Sequence, residues 1–265
     1  DAAVLAVSDE LATQFPAYLQ SLNLHTSDGT LLTEENYLEY IKSEIIRSAQ
    51  IAKNAGADIS ADLGFTFNKE DMGGMPPLNG GMKLQGMSQI HLPMIPTRAP
   101  RAGEYILDLD MPTYLAYVAS TQPLKTAPAF DTKDVCGQPA SGENEVFGDA
   151  SGSSVNFTAY SQQRVLQECD CLPMSDSLQA SIAQNVRLMN PMNYIGDSRT
   201  TVAPHWYIRH GARDRDTSFP IPVNLALKLQ NEGYDVNFLL AWNRPHSGDY
   251  ALDELFSWIE EITTK

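Results

Sequence analysis

The chain has 265 residues, 43% of them hydrophobic, which is enough for the core of one large domain or two small ones. Its formal net charge is −15 and its sequence pI is near 4.6, and this acidity argues against nucleic acid or an anionic membrane as a partner. No apolar stretch reaches the length of about 18 residues that would predict a membrane-spanning helix. The composition weakly favours neutral or phenolic ligands and indicates no particular compartment.

The three cysteines are Cys136, Cys169 and Cys171, an odd number that argues against a fully paired disulfide framework. Cys169 and Cys171 form a C-x-C pattern rather than the C-x-x-C of redox and zinc sites. None of the five histidines stands at ligand spacing from the cysteines. We therefore expect structural cysteines, no bound metal and no cofactor.

Two helices are predicted near the start of the chain. The first covers Val7–Asn23, where Pro16 is expected to kink or split it. The second covers Glu34–Ala55, with Thr33 as its N-cap and Gly56 directly after its end. Apolar side chains recur at three- and four-residue steps along the second helix, which predicts one buried face. These apolar positions are Tyr37, Leu38, Ile41, Ile45, Ala49 and Ala52.

The amino-acid composition changes in the middle of the chain. Glycine, proline and methionine crowd the segment Asp58–Pro100, and this composition predicts irregular or hairpin structure in a lid. A helix capped by aspartate is predicted over Leu107–Ser120, with Pro112 in its first turn. A loop is expected between Lys125 and Glu143, and two amphipathic helices follow at Asn156–Gln167 and Asp176–Met189.

The last 60 residues predict a parallel α/β unit. Two short apolar runs have the length of buried strands, and each is followed by a helical segment. In such sheets the chemistry lies just beyond the carboxyl ends of the strands. The predicted order is a strand at His205–His210, a helix at Ser218–Asn231, a strand at Val236–Trp242 and a helix from Asp249 to the C-terminus.

Side chains that carry hydrolytic chemistry follow both of these strands. Asp214 and Asp216 come after the first strand and His246 after the second, which is the order of acid and base in the α/β-hydrolase triad. Extended backbone would place Asp214 and Asp216 on one face. The plainer interpretation is a solvated acidic loop and a histidine at a helix cap. His205 and His210 are alternative bases by type, but they precede the acid and we expect them to support packing.

The amino-acid sequences of these segments resemble those of a known family. RHGARDRDTS and FLLAWNRPHSGDY are similar to the C-terminal end of the bacterial tannases, or tannin acyl hydrolases, and their close esterase relatives. YLEYIKSEIIRSAQIA resembles the insertion domain of that family. The resemblance runs over most of the chain and implies an α/β fold, namely the C-terminal portion of an α/β-hydrolase. Residues 1–195 would form a large, mostly helical lid insertion, and residues 196–265 the part of the core with the acid and base.

The resemblance also implies roles for individual residues. Asp214 would orient His246, which serves a nucleophilic serine. No G-x-S-x-G pentapeptide occurs in the chain, so we expect the serine upstream, in an N-terminal part of the same enzyme. In the tannase pattern a lysine, a glutamate and an aspartate contact the hydroxyls of a galloyl ring. The matching residues are Lys125, Glu143 and Asp216, with Glu145 as a substitute for Glu143.

The expected activity is therefore hydrolysis of galloyl esters, which are small aromatic substrates, through an acyl-enzyme. A feruloyl or cinnamoyl esterase remains an alternative, because such enzymes share the hydrolase core. A non-catalytic fragment or binding module is a further alternative, since this chain alone lacks the nucleophile motif and is expected to be inactive without the missing part. A peptidase of the prolyl-oligopeptidase type shares the triad order but would not require Lys125 and Glu143.

Overall fold

A computed structural model describes residues 2–68, 105–148, 153–169 and 172–264. Most of the irregular segment predicted at Asp58–Pro100 lies outside these residues. The described part contains eight α-helices, four strands and three single 3-10 turns. The helices are α1 Ala2–Leu22, α2 Glu34–Asn54, α3 Met111–Val118, α4 Gly142–Val146, α5 Ala159–Glu168, α6 Asp176–Met189, α7 Pro220–Asn231 and α8 Leu252–Thr263. The strands are β1 Phe65–Asn68, β2 Tyr105–Leu109, β3 His205–Gly211 and β4 Asp235–Ala241.

The parallel unit predicted at the C-terminal end is confirmed. β3 and β4 pair in parallel, with His205 opposite Asp235 and Gly211 opposite Ala241, and α7 connects them. Gly233, at φ +85°, lies in the tight connection between α7 and β4, where a left-handed backbone favours glycine. This unit and the surrounding helices agree with the predicted α/β class.

The prediction of a helix over Leu107–Ser120 is wrong at its start. Residues 107–109 belong to β2, which pairs antiparallel with β1, and the helix begins only at Met111. Ile106 and Leu109 are buried in this strand, so pairing with β1 outweighs the helical pattern of the local sequence. The side chain of Asp110 accepts a hydrogen bond from the Thr113 amide, which gives the predicted aspartate cap.

Other helix boundaries in the structure differ from the predicted ones for local reasons. α1 begins at Ala2 and continues past Pro16, so the helix is not split. The loop predicted to lead to Glu143 ends at the short helix α4, which Ser141 caps through the Asn144 amide. α5 begins at Ala159, because Thr158 accepts from the Ser161 amide and acts as its N-cap.

The chain divides into two compact units. Of the residues that the structure describes, those within 1–18 and 125–202 form the first unit, and those within 19–124 and 203–265 form the second. This division does not test which residues form a lid and which form a hydrolase core. The predicted boundary between residues 195 and 196 therefore stays a prediction. None of the described helices is both long and apolar enough to cross a membrane.

In the second unit, α2 covers the outer edge of β4. The Arg47 guanidinium donates to the Phe238 carbonyl at 3.0 Å, and the Ser48 hydroxyl donates to the Leu240 carbonyl. Arg47 also forms an ion pair of 2.6 Å with Glu44, which is 3% exposed. These contacts satisfy carbonyl groups that would otherwise remain unpaired at a sheet edge. They hold in place the strand that leads to His246.

An aromatic cluster packs beneath the carboxyl ends of β3 and β4. Tyr114 of α3 is fully buried, and its ring lies 5.9 Å from Phe65 and 6.4 Å from both Trp242 and Phe219. Its hydroxyl donates to the Ala212 carbonyl. Burial raises the pKa of this hydroxyl far above its usual range, so Tyr114 stays neutral. The cluster thus supports the loop that begins directly after β3.

Candidate active site

The loop after β3 is organised around the carboxylate of Asp214, whose side chain is 4% exposed. Its Oδ1 atom accepts from the backbone amides of Asp216 at 2.7 Å and Thr217 at 3.0 Å. Such side-chain to backbone bonds close a tight turn around the carboxylate. One oxygen of Asp214 is thereby used to hold its own loop, and the other is left to face the neighbouring loop.

The loop after β4 is held against this turn by the backbone. The amide of Ala212 donates to the Ala241 carbonyl at 2.8 Å, and the amide of Arg213 donates to the Arg244 carbonyl at 2.9 Å. The approach is close because residue 211 is glycine, with no side chain to separate the two loops. The end of β3 and the loop carrying His246 are therefore joined by main-chain contacts.

These two loops bring Asp214 and His246 together. The Nδ1 atom of His246 lies 2.9 Å from Oδ2 of Asp214. The histidine side chain is half-exposed while the carboxylate is buried. A buried carboxylate bound to Nδ1 selects the tautomer in which Nδ1 carries the proton, so that Nε2 has a lone pair for a reacting group. The arrangement can act as a general base with an orienting acid.

His210 also faces Asp214. Its Nε2 atom lies 3.5 Å from the same Oδ2 atom, and the residue is buried. Burial lowers the pKa of His210, opposed by the Asp214 charge and by a hydrogen bond with the Thr217 backbone. His210 is therefore neutral at pH 7 and lies behind the Asp214–His246 pair.

His205 is placed differently. It begins β3 and its Nδ1 atom lies 2.8 Å from Oδ2 of Asp235, which begins β4. At a rise of about 3.3 Å per residue, this pair is roughly 20 Å from the carboxyl end of β3, after which Asp214 follows. His205 thus bridges the amino ends of the two strands, and its expected supporting role stays a prediction.

Asp216 lies next to the pair, although not for the predicted reason. The loop turns instead of continuing as extended backbone, so the argument from strand alternation is wrong. The turn around Asp214 brings the Asp216 carboxylate to within 4.8 Å of the facing atoms of Asp214 and His246. A cation could bridge three such atoms, but hydrogen bonds to both Asp214 oxygens already account for their proximity.

Two further residues of the predicted ring site, Lys125 and Glu143, belong to the first unit. Lys125 is exposed, and its ammonium lies 4.3 Å from the centre of the Phe130 ring. Glu143 is partly buried on α4, and Glu145 on the same helix is exposed. Their roles in ring binding stay predictions.

A buried polar cluster, which no local sequence motif reveals, holds α4 in place. The Asp131 carboxylate is 2% exposed and accepts from both buried amides, Asn144 at 2.6 Å and Asn156 at 3.0 Å. Its other oxygen accepts from the backbone amides of Phe157 and Thr158 and from the Thr158 hydroxyl. A carboxylate with this many donors stabilises the loops around it. Asn144 is the direct neighbour of Glu143, so this cluster determines where Glu143 lies in its unit.

The Asp214–His246 pair borders an open cavity of about 400 Å³ in the second unit. The loop His246–Tyr250 and the side chains of Tyr207 and Arg209 on β3 contribute to its walls. The residue after His246, Ser247, has a φ of +56°, a left-handed conformation that surrounding contacts must maintain. The base therefore lies at an accessible concave surface.

Solved structures of bacterial tannases are similar to this chain. A tannase from Lactobacillus plantarum is 36% identical, with a TM-score of 0.70, and the match covers 97% of this chain and 45% of that one. A tannase from Fusobacterium nucleatum is 32% identical, with a TM-score of 0.70, over 98% of this chain and 46% of that one. A structure of tannin acyl hydrolase in complex with ethyl gallate is 35% identical, with a TM-score of 0.71, over 99% of this chain and 47% of that one.

No protein-family model and no curated protein matches the chain. The chain spans less than half the length of the tannase structures to which it is similar. The resemblance to bacterial tannases indicated by the sequence motifs is confirmed over nearly the whole chain, in sequence identity as well as in fold.

Proposed function

We propose that this chain supplies the acid and base of a serine carboxylic ester hydrolase that acts on galloyl esters. The observation that carries the proposal is the Asp214–His246 pair, joined at 2.9 Å, with the Asp216 carboxylate within 4.8 Å. The similar proteins include tannin acyl hydrolase bound to ethyl gallate and to 3,4-dihydroxybenzoate. Both ligands carry hydroxylated aromatic rings, which is the ligand chemistry expected at Asp216.

The nucleophilic serine belongs, in this proposal, to a part of a longer enzyme that the 265 residues do not span. Two observations support this. The chain contains no G-x-S-x-G pentapeptide, and it covers 45–47% of the tannase structures. The same proposal assigns residues 196–265 to the hydrolase core, as the parallel pair β3–β4 suggests, and residues 1–195 to the lid.

The reaction follows from the orientation of His246. Nε2 removes the proton of the serine hydroxyl as its oxygen attacks the ester carbonyl, and Asp214 stabilises the resulting imidazolium. His246 then returns this proton to the departing alcohol, which leaves an acyl-serine. A water molecule attacks the acyl carbon and gives its proton to Nε2, and the serine leaves with that proton. The products are the aromatic acid and the alcohol, and both residues return to their starting state.

Specificity would come from polar side chains that bind the hydroxyls of the ring. Asp216 would accept hydrogen bonds from ring hydroxyls, and the resemblance to the tannases implies the same ligand chemistry for Lys125 and Glu143. An analogue without hydroxyls would leave the Asp216 carboxylate unpaired, and sites that bind a substrate hydroxyl in this way discriminate by roughly four to five orders of magnitude. A feruloyl ring, in which a methoxyl replaces one hydroxyl, would bind less well.

Labelling with a fluorophosphonate serine probe, followed by intact-mass spectrometry, tests the nucleophile. We expect a preparation that hydrolyses methyl gallate to carry one label, located outside these 265 residues. A label within the 265 residues would contradict the assignment of the nucleophile. Hydrolysis of methyl gallate without any label would contradict the acyl-enzyme, and an unlabelled, inactive protein would favour a binding module.

Replacing Asp216 by alanine tests the ring site separately. In the complete enzyme this change should reduce kcat/KM for methyl gallate far more than for a simple aryl acetate. The aryl acetate uses the same Asp214–His246 pair but offers no ring hydroxyls. Equal losses on the two substrates would contradict the role of Asp216.

A further inference from the structure

Arg215 lies between the two aspartates in sequence and joins Asp216 to another part of the second unit. One terminal nitrogen, Nη2, lies 3.1 Å from Oδ1 of Asp216. The other, Nη1, donates to the Pro123 carbonyl at 3.0 Å. The side chain is 27% exposed, so this bridge is partly shielded from water.

The bridge restricts the Asp216 carboxylate. A guanidinium is planar and rigid, so holding one nitrogen on a backbone carbonyl determines where the other nitrogen points. Asp216 is 23% exposed and would otherwise change rotamer readily. The cation also offsets the repulsion between Asp216 and Asp214, whose carboxylates lie within 4.8 Å. One oxygen of Asp216 is bound to Arg215, which leaves the other for a ligand.

Arg213 provides a natural comparison. It stands in the same loop, two residues earlier, and carries the same charge. Its guanidinium donates to the Asn243 side chain and to the Thr121 hydroxyl, each at 3.3 Å. It also lies over the Tyr117 ring, 5.5 Å from its centre. Arg213 therefore braces the loop against the same neighbouring segment without acting on Asp216 through an ion pair.

We propose that Arg215 is a positioning residue that determines specificity by orienting the Asp216 carboxylate toward the ring hydroxyls of the substrate. This inference rests on the proposed function, because it requires Asp216 to bind the ring. Arg215 acts through Asp216 and does not touch the reacting ester. Its loss should therefore affect recognition of the ring and leave the chemistry at His246 intact.

The test compares Arg215→Gln, Arg215→Lys and the control Arg213→Gln in the complete enzyme. KM and kcat are measured with methyl gallate and with 1-naphthyl acetate. We expect Arg215→Gln to raise KM for methyl gallate about tenfold, the effect of one charge-assisted contact, and to change the acetate reaction less than about twofold. Arg215→Lys should recover only part of the loss, because an ammonium cannot bridge two acceptors in fixed geometry. Arg213→Gln should affect both substrates alike.

A double-mutant cycle separates orientation from general loop stability. With Asp216 already replaced by alanine, Arg215→Gln should add less than about twofold to the loss on methyl gallate. Equal losses on both substrates, or independent effects of the two substitutions, would overturn the proposal for Arg215. If Asp216→Ala reduces activity on methyl gallate no more than on 1-naphthyl acetate, the proposed ring site fails and the role of Arg215 fails with it. Melting temperatures of all variants identify any that do not fold.

Discussion

Gly211 and Arg244 approach so closely that no side chain fits at position 211. A Cβ atom there would lie 2.3 Å from the Arg244 carbonyl oxygen, and equally close to that of Pro245. Both carbonyls belong to the backbone just before His246 and cannot rotate away as a side chain could. The distance between Asp214 and His246 therefore depends on the absence of a side chain at the end of β3.

Gly211→Ala should displace the His246 loop and reduce activity with little loss of the fold. A displacement of about 1 Å at a catalytic group costs on the order of a hundredfold in rate, so we expect at least that loss in kcat. The matched control is Gly56→Ala, where φ is +98° but no atom lies within 4 Å of the added Cβ. That control should lower stability by about 1 kcal/mol and keep kcat. Equal kcat values for the two variants would contradict this account of Gly211.

Asp214→Asn should reduce kcat by up to about four orders of magnitude, because an amide no longer selects the required tautomer of His246. The control is Asp235→Asn, which alters another aspartate–histidine pair of similar length on the same two strands. Asp235 is bonded to His205 at the amino ends of the strands, at 2.8 Å. Steady-state kinetics should show nearly unchanged kcat for this control. Similar losses in both variants would indicate that damage to the sheet, rather than to the base, causes the effect.

Much of this site could be predicted from local sequence. The apolar runs of β3 and β4 and the helix between them predict parallel pairing, and parallel pairing brings the residues after both strands to one edge. That reasoning placed Asp214 beside His246 correctly. His205 and His210 are expected to support packing because both precede the acid; the first lies beside Asp235 and the second beside Asp214, and their supporting role stays a prediction.

The remainder depended on contacts between distant residues. The local sequence predicts a helix from Leu107, inside β2, because the partner strand β1 lies about 40 residues earlier and the local pattern does not reveal the pairing. Asp216 was expected near Asp214 on account of strand alternation, whereas a turn closed by the Asp214 side chain brings it there. The bridge formed by Arg215 depends on the Pro123 carbonyl, whose position no local motif reveals.

Asn144→Ala should destabilise the first unit by about 2–4 kcal/mol, because it leaves several buried polar groups without partners. The Asn144 amide group donates to Asp131 at 2.6 Å and to the Val155 carbonyl at 2.8 Å. Its oxygen accepts from the amides of Ser141 and Lys133. Urea denaturation measures the change in the free energy of unfolding.

Glu145→Ala is the control for that substitution, since Glu145 is the next residue on α4 and is exposed. Its free energy of unfolding should stay within about 0.5 kcal/mol of the unsubstituted protein, as is usual for surface positions. A loss for Asn144→Ala no larger than that of the control would show that the buried cluster does not stabilise the unit.

His210 should make the protein less stable in acid. Burial lowers the pKa of His210 in the folded state, and the charge of His246 also lowers it. The charge of Asp214 and a hydrogen bond with the Thr217 backbone raise this pKa, but burial is the largest influence. The unfolded chain has the ordinary pKa of about 6.5 and binds a proton first as the pH falls. Stability contributed by the neutral ring is therefore complete above about pH 6.5 and is lost as the pH falls from there toward the lower folded pKa.

His210→Phe removes this titration and retains a ring against Phe219, which contacts His210 edge-on at 5.9 Å between ring centres. The urea midpoints of both proteins at about pH 8, well above the titration, give the cost of changing the ring itself. At about pH 5 the unsubstituted protein should have lost more of its stability than the variant has. Parallel stability curves across this range would show that His210 does not titrate on unfolding, and that its burial beside Asp214 carries no proton-linked cost.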